Sequence, residues 1–246
     1  MPSAATRLLL FGRNRETLNT YLATLPFLAL YKMQQTAGTN EPNAGSLGSA
    51  VDMTITSTTL GQTGKLGVNE AYLFDGANSR LQAANNATLA GKLAWEYVFL
   101  LNPSSAGEVN TGAFFWWGNG GEFLMVFNSI ISQLACFLTN TTPATITTTT
   151  TTGLTADTWA TLFVAYDDAG DRKIHIRKGV AGAVTEYGYG AQPALTGTYK
   201  AQTGVLSLFN RSDQGRTFAG LADFAGVVDG NLTVEQRLKI TQLAGV

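Results

Sequence analysis

With one histidine and one cysteine in 246 residues, nucleophilic and metal chemistry have few starting points. His175 lies in Arg172-Lys173-Ile174-His175-Ile176-Arg177, an alternating segment with Ile174 and Ile176 on one face and Lys173, His175 and Arg177 on the other. A serine or cysteine hydrolase would have to draw its base from this residue, yet the pattern places it on the polar face of a strand, far in sequence from Ser and Cys partners. Cys136 sits in the apolar run Leu134-Ala135-Cys136-Phe137-Leu138 and reads as a buried small hydrophobe that cannot form an internal disulfide. Cys136 and His175 together fall short of a closed zinc set. Glycoside hydrolysis needs two cooperating carboxylates. Of the eight glutamates, Glu96 and Glu122 fall on expected strands, and neither has a carboxylate two residues away. No catalytic residue is assigned, and the chain is expected not to be an enzyme. Asp167, Asp168 and Asp171 cluster at one turn and could offer oxygen ligands to calcium, although a hairpin turn favours the same residues. No metal site or cofactor is therefore assigned, with calcium the one alternative left open. EF-hand and phosphate-loop patterns are absent from the sequence.

Binding chemistry is better represented. Trp116, Trp117, Tyr187 and Tyr189 could present flat faces to sugar rings or to a neighbouring subunit. Trp116 and Trp117 are adjacent, so on a strand they face opposite ways: one can join the core, the other be exposed or lie at a contact. Tyr187-Gly188-Tyr189-Gly190 puts both tyrosines on one strand face. Trp95, Phe99, Phe163 and Phe224 are assigned to the core.

The elements that must position these residues are strands. Apolar residues make up 45% and charged residues 13%, the latter well below the roughly 25% usual for soluble domains. Leu93, Trp95, Tyr97 and Phe99 lie two apart, predicting four large side chains on one strand face. Ala113-Phe114-Phe115-Trp116-Trp117 and Phe123-Leu124-Met125-Val126-Phe127 predict a hairpin turning at Asn119-Gly120. Ile130 to Leu138 reads as the next strand. The threonine run 147–152 reads as an exposed strand rather than a glycosylated stalk. Trp159 to Tyr166 is apolar on both faces, predicting a central strand, and residues 36–50 read as a loop. Leu18, Tyr21, Leu22 and Leu25 have helical spacing before Pro26. With the apolar block Leu8-Leu9-Leu10-Phe11 they suggest an arm and short helix over 1–26, docked on its own domain or on a neighbouring subunit. Thr233-Val234-Glu235-Gln236 is a capping box opening a closing helix through about Leu243. Strands separated by turns, with helices only at the ends, predict an all-β, two-sheet antiparallel sandwich over 27–246. A net charge of −1 with no basic run speaks against nucleic acid. No apolar stretch reaches the roughly 20 residues of a membrane span, and the opening block is too short for a secretory signal, so synthesis in the cytoplasm without export is expected.

Four pieces in order resemble the concanavalin A-like, laminin G-like jelly roll found in tailed-phage virion and extracellular proteins. They are Leu73-Phe74-Asp75-Gly76-Ala77-Asn78-Ser79-Arg80-Leu81, Leu93 to Phe99, Thr158-Trp159 through Ile176, and Phe218-Ala219-Gly220-Leu221-Ala222-Asp223-Phe224 followed by Leu232-Thr233 and a helix. His175 or Ile176 stands where the family usually has tyrosine, and Lys178-Gly179 where an acidic residue or Asn precedes Gly. The first 25 residues have no counterpart. The Glu-x-Asp-x-x-Glu pattern of the fold's hydrolase branch is not found. The resemblance implies a non-catalytic virion structural protein, a capsid-decorating or tail-associated subunit. Its partners would be other virion proteins or further copies of itself, met through Leu8, Leu9, Leu10, Phe11, Leu18, Tyr21 and Leu22, and its location the virion. The alternative is a lectin-like module binding surface glycans.

Overall fold

The computed structural model describes residues 18–118, 123–131, 133–138, 145–150, 154–199, 201–213 and 215–246. After a helical turn at 18–22 (α1), the chain forms β1 (Phe27–Tyr31), β2 (Asn40–Glu41), β3 (Met53–Thr56), β4 (Thr59–Gln62), β5 (Ala71–Asp75) and β6 (Arg80–Ala83). A short helix α2 (Ala87–Ala90) leads to β7 (Ala94–Pro103), β8 (Ala113–Trp117), β9 (Phe123–Phe127), β10 (Leu134–Leu138), β11 (Thr145–Thr149) and β12 (Ala160–Asp167). Last come β13 (His175–Val180), β14 (Ala183–Glu186), β15 (Tyr189–Ala191), β16 (Leu206–Leu208), β17 (Ala219–Asp229) and the helix α3 (Val234–Ala244).

Two antiparallel sheets result. The first runs β14-β13-β12-β7-β17-β5-β4, with β1 also pairing β17; the second runs β15-β11-β10-β9-β8-β16-β6-β3-β2. The expected sandwich is therefore the observed one. Alternation explains the layering. Trp95, Tyr97, Phe99 and Leu101 of β7 join Leu162, Val164 and Tyr166 of β12 in the core between the sheets, facing Phe115, Trp117, Phe123, Met125 and Cys136. The opposite faces of the same strands, Val98, Leu100, Phe163, Phe224 and Val228, form a second apolar layer covered by Leu18, Leu22 and Leu25 from one end of the chain and Ile240 and Ala244 of α3 from the other. Both faces of β7 and β12 are thus dry, as expected for central strands. Trp95 and Phe99 lie in the first layer and Phe163 and Phe224 in the second.

Four sequence expectations need correction. Leu93 precedes the strand and is 53% exposed, because β7 begins at Ala94. The threonine strand is exposed on one face only: Thr147 and Thr149 are buried, while Ile146 and Thr150 on the other face are exposed. β10 begins at Leu134, four residues later than Ile130, and Ser129 just before it takes a left-handed φ of 67°. The segment read as a loop contains β2, which pairs β3.

The two open sides of the sandwich are closed by chain that changes sheet. On one side β14 of the first sheet passes through Tyr187-Gly188 into β15 of the second. On the other, β1 passes to β2 through Met33, whose φ is +53°. That left-handed conformation costs a non-glycine residue on the order of 1–2 kcal/mol. It is held here by a fully buried side chain and by the Met33 N–H, which donates to Glu41 Oε1 at 2.9 Å.

Candidate functional site

The sequence-selected aromatic residues are brought inward. Trp116 and Trp117 do face opposite ways, as adjacency requires, but both are buried, at 7% and 3% exposure. Trp117 belongs to the core between the sheets. Trp116 lies on the outer face of the second sheet with Leu124, Val126 and Ala135, beneath the Arg211 guanidinium 5.0 Å from its ring. Tyr187 lies at the corner between β14 and β15 and is buried, and Tyr189 at the start of β15 is half-buried against the same core. The Tyr189 hydroxyl accepts the Ile176 N–H at 2.7 Å and donates to Glu186 Oε1 at 3.0 Å. Of the expected arm, Leu8, Leu9, Leu10 and Phe11 lie outside the described residues. Leu18 and Leu22 are buried, with Tyr21 packed beside them, in the layer over the first sheet of the same chain.

The titratable side chains are largely engaged with one another. His175 joins two carboxylates, Nδ1 to Glu186 Oε1 at 2.6 Å and Nε2 to Asp171 Oδ2 at 3.0 Å. Glu186 also takes Arg177 Nη2 at 2.9 Å. Burial alone would raise the Glu186 carboxyl, but the His175 hydrogen bond and the Arg177 charge outweigh it and hold it below its ordinary value. Burial pushes the Tyr189 hydroxyl up, away from the phenolate that a nucleophile would need. Asp168 accepts from Tyr166 Oη at 2.6 Å and Arg172 Nη2 at 2.9 Å, while Asp167 caps Ala169 N–H at 2.9 Å. The three turn aspartates therefore serve separate partners, and among the described residues no group of three His, Cys, Asp or Glu side chains is placed to hold a metal. Glu96 is fully buried. Its oxygens accept Arg237 Nε at 2.6 Å, Arg237 Nη2 at 2.8 Å and the Leu232 N–H at 2.8 Å. It anchors α3 and has no access to a substrate.

A concavity exists elsewhere, near the Met33 corner. A pocket of about 110 Å³ is lined by Lys32, Gln34, Gln35, Glu41, Pro42, Asn43 and Ala44. Its walls are fixed by the local sequence. Asn43 Oδ1 accepts the N–H groups of Leu30 at 2.7 Å and Gly45 at 2.8 Å, and its Nδ2 donates to Leu28 O at 3.3 Å and Gly48 O at 3.0 Å. Asp52 Oδ1 takes the Asn43 N–H at 2.7 Å. Gly45 is required because a Cβ there would stand 2.6 Å from the Leu28 carbonyl oxygen. Behind the pocket, Glu41 is 1% exposed and accepts the Tyr72 hydroxyl as well as the Met33 N–H. Burial, then that hydrogen bond, pushes the Tyr72 hydroxyl far above its ordinary value, so it remains a donor. Gln34 Nε2 donates to Glu70 Oε2 at 2.7 Å. None of these residues was marked as a site by sequence reasoning. Their one signal, Asn-Glu-Pro-Asn at 40–43, reads equally well as loop chemistry.

Comparison with known proteins supports the fold. No family profile matches the chain, and no curated protein sequence matches it. Solved structures do. The ligand-binding domain of botulinum neurotoxin serotype D in complex with N-acetylneuraminic acid is similar at TM-score 0.63 and 7% identity, over 90% of this chain and 52% of that one. A botulinum neurotoxin serotype D binding domain gives 0.62 at 6% identity, over 89% and 52%. A Trypanosoma rangeli sialidase in complex with 2,3-difluorosialic acid gives 0.61 at 12% identity, over 95% and 37%. The chain spans about half or less of the length of these neighbours. What they share with it is a two-sheet, jelly-roll-like β-sandwich.

Proposed function

We propose that this chain is a non-catalytic carbohydrate-binding module whose ligand site is the pocket at the Met33 corner. The observation that carries the reading is the pocket's lining. Two glutamine amides, a glutamate, a lysine and an asparagine surround a concavity whose wall is already hydrogen-bonded into shape. A planar amide is suited to paired sugar hydroxyls, and a preformed wall removes an ordering cost from binding. The non-catalytic part of the reading rests on the engaged state of Glu96, Glu186 and His175. The likeness to carbohydrate-binding domains supports the reading at the level of fold alone.

The test is a glycan array probed with the wild-type chain and with Gln35→Ala, the melting temperatures of both being measured. The expected result is a defined set of glycans retained by the wild type and weakened by the variant at unchanged stability. Retention of no glycan, or release of reducing sugar from a bound one, overturns the reading. The virion-subunit reading, with its capsid or tail partners and virion location, has no support among these structural neighbours. The carbohydrate reading is therefore the one carried forward.

A further inference from the structure

We infer that the outer face of the second sheet binds an oxyanion, a carboxylate or sulfate group, at Arg80, with Arg216 supplying a second charge near by. The inference stands apart from the pocket at the Met33 corner and does not depend on what that pocket takes.

Arg80 opens β6 and is half-buried. Its Nε and Nη1 are shielded from solvent, and neither meets a hydrogen-bond acceptor. A guanidinium stays charged at any ordinary pH and offers five N–H donors. Taking that charge out of water without a partner is costly. An oxyanion offsets the cost, because the planar array of N–H groups matches several acceptor oxygens at once. Other arginines of the chain already have such a partner. Arg172, Arg177, Arg211 and Arg237 each pair with a carboxylate. Arg80 and Arg216 pair with none among the described residues.

The fold gathers these two arginines around one buried side chain. Asn210 is fully buried. Its Nδ2 donates to Ser79 O at 3.3 Å, while its Oδ1 accepts the N–H groups of Arg211 at 2.6 Å and Arg216 at 3.2 Å. Asn210 thus ties the backbones of Arg211 and Arg216 to the residue that precedes Arg80. Register sets the direction. Trp116, Ser207 and Gln82 stand opposite one another across β8, β16 and β6, so they share the outer face, and Gln82 Nε2 donates to Ser207 Oγ at 3.1 Å. Arg80, two residues from Gln82 along β6, leaves the strand on that same face. Arg211 also reaches it, since its guanidinium lies over Trp116. Burial, and then the charge of Arg211, pull the Arg216 guanidinium below its ordinary value, so these two cations lie close enough to repel. Three carboxylates approach this end of the sheet, and each is directed elsewhere. Asp213 pairs with Arg211. Asp75 Oδ1 takes the N–H groups of its own turn, and Glu108 Oε2 accepts the Thr217 N–H at 3.1 Å.

The experiment is isothermal titration of the full chain at low ionic strength with sodium sulfate and, separately, with galacturonate. Saturable binding of at least one is expected. Arg80→Met should weaken it about tenfold or more, the scale of a hydrogen bond to a charged group. Lys239→Met, which removes the same charge from an exposed position of α3, should leave it unchanged. Binding of only one anion, with that dependence on Arg80, supports the inference and says which group is taken. In chloride alone, Arg80→Met should melt no lower than the wild type, because it removes an unpaired charge and keeps most of the side chain's length. Arg216→Met is expected to weaken the same anion severalfold, and it decides the matter if Arg80→Met does not fold. Absence of saturable binding by both anions overturns the inference. So does equal affinity in the wild type and both arginine variants, or an equal loss in Lys239→Met. None of these outcomes bears on the glycan array, which tests the other site.

Discussion

Glu96 illustrates how a residue that looks chemical from sequence becomes structural in the fold. Alternation along β7 sends it away from the core between the sheets, to the face covered by α3, where Arg237 and the Leu232 N–H take both oxygens. Removing one partner of a buried pair leaves an uncompensated charge, which costs about 3–5 kcal/mol. Glu96→Ala is therefore expected to lower unfolding stability by that amount in a denaturant titration. Glu96→Met combined with Arg237→Met should recover much of the loss, because replacing both charges removes both desolvation penalties. A second residue-scale prediction concerns acid. The Asp75 carboxyl is held at about 2, against an ordinary 3.8: burial would raise it, but Ser79 Oγ and the N–H groups of Ala77, Asn78 and Ser79 outweigh burial. A carboxyl lowered by folding contributes stability above its ordinary value and loses that contribution as pH falls through the lowered one. Stability is thus expected to decline between about 3.8 and about 2 through this turn. Asp75→Asn should flatten the decline measured by denaturant midpoints across that window.

At the scale of elements, α3 is seated by a close approach rather than by apolar bulk alone. The helix lies against β12, β13 and β14, and Thr241 Oγ1 meets Thr161 Oγ1 at 2.9 Å directly over Gly179. A methyl group at 179 would collide with both hydroxyls. Gly179→Ala is expected to cost about 1–3 kcal/mol and to raise hydrogen exchange selectively in α3. Such elements differ in how legible they were. β7, β12 and α3 could be read directly, since alternating aromatics, a doubly apolar strand and a capping box each have one physical explanation. The corners could not. Met33 has a left-handed φ without being glycine or asparagine, and nothing in its residue type announces that. Tyr187 and Tyr189 have the spacing of one strand face, yet Tyr187 lies at the corner where the chain changes sheets. The candidate site inherits that blindness: it is built on the Met33 corner from amides that carry no spacing signature. The tryptophan pair was read correctly as facing opposite ways, but adjacency alone gives no warning that the outer one is also covered.

For the whole molecule, ligand and fold are linked through the same corner. The pocket is lined by the segment that follows β1 and by Glu41 of β2 with the loop after it, so a ligand bound there would depend on the folded corner between the two sheets. A ligand that binds only the folded state adds RT ln(1 + [L]/Kd), about 2.7 kcal/mol at a hundredfold excess over Kd. For a chain of 246 residues, each kcal/mol moves the melting temperature by roughly 2–4 °C. A saturating glycan ligand is therefore expected to raise it by about 5–10 °C. Gln35→Ala, which alters the lining and leaves the Asn43 and Glu41 hydrogen bonds in place, should melt where the wild type does without sugar and show a smaller rise with it. Trp116→Phe, on the far face of the second sheet, should retain the full ligand-induced rise, whatever its own melting temperature, if the Met33 corner is the site. Loss of that rise in Trp116→Phe and its survival in Gln35→Ala would move the site to the outer face of the second sheet.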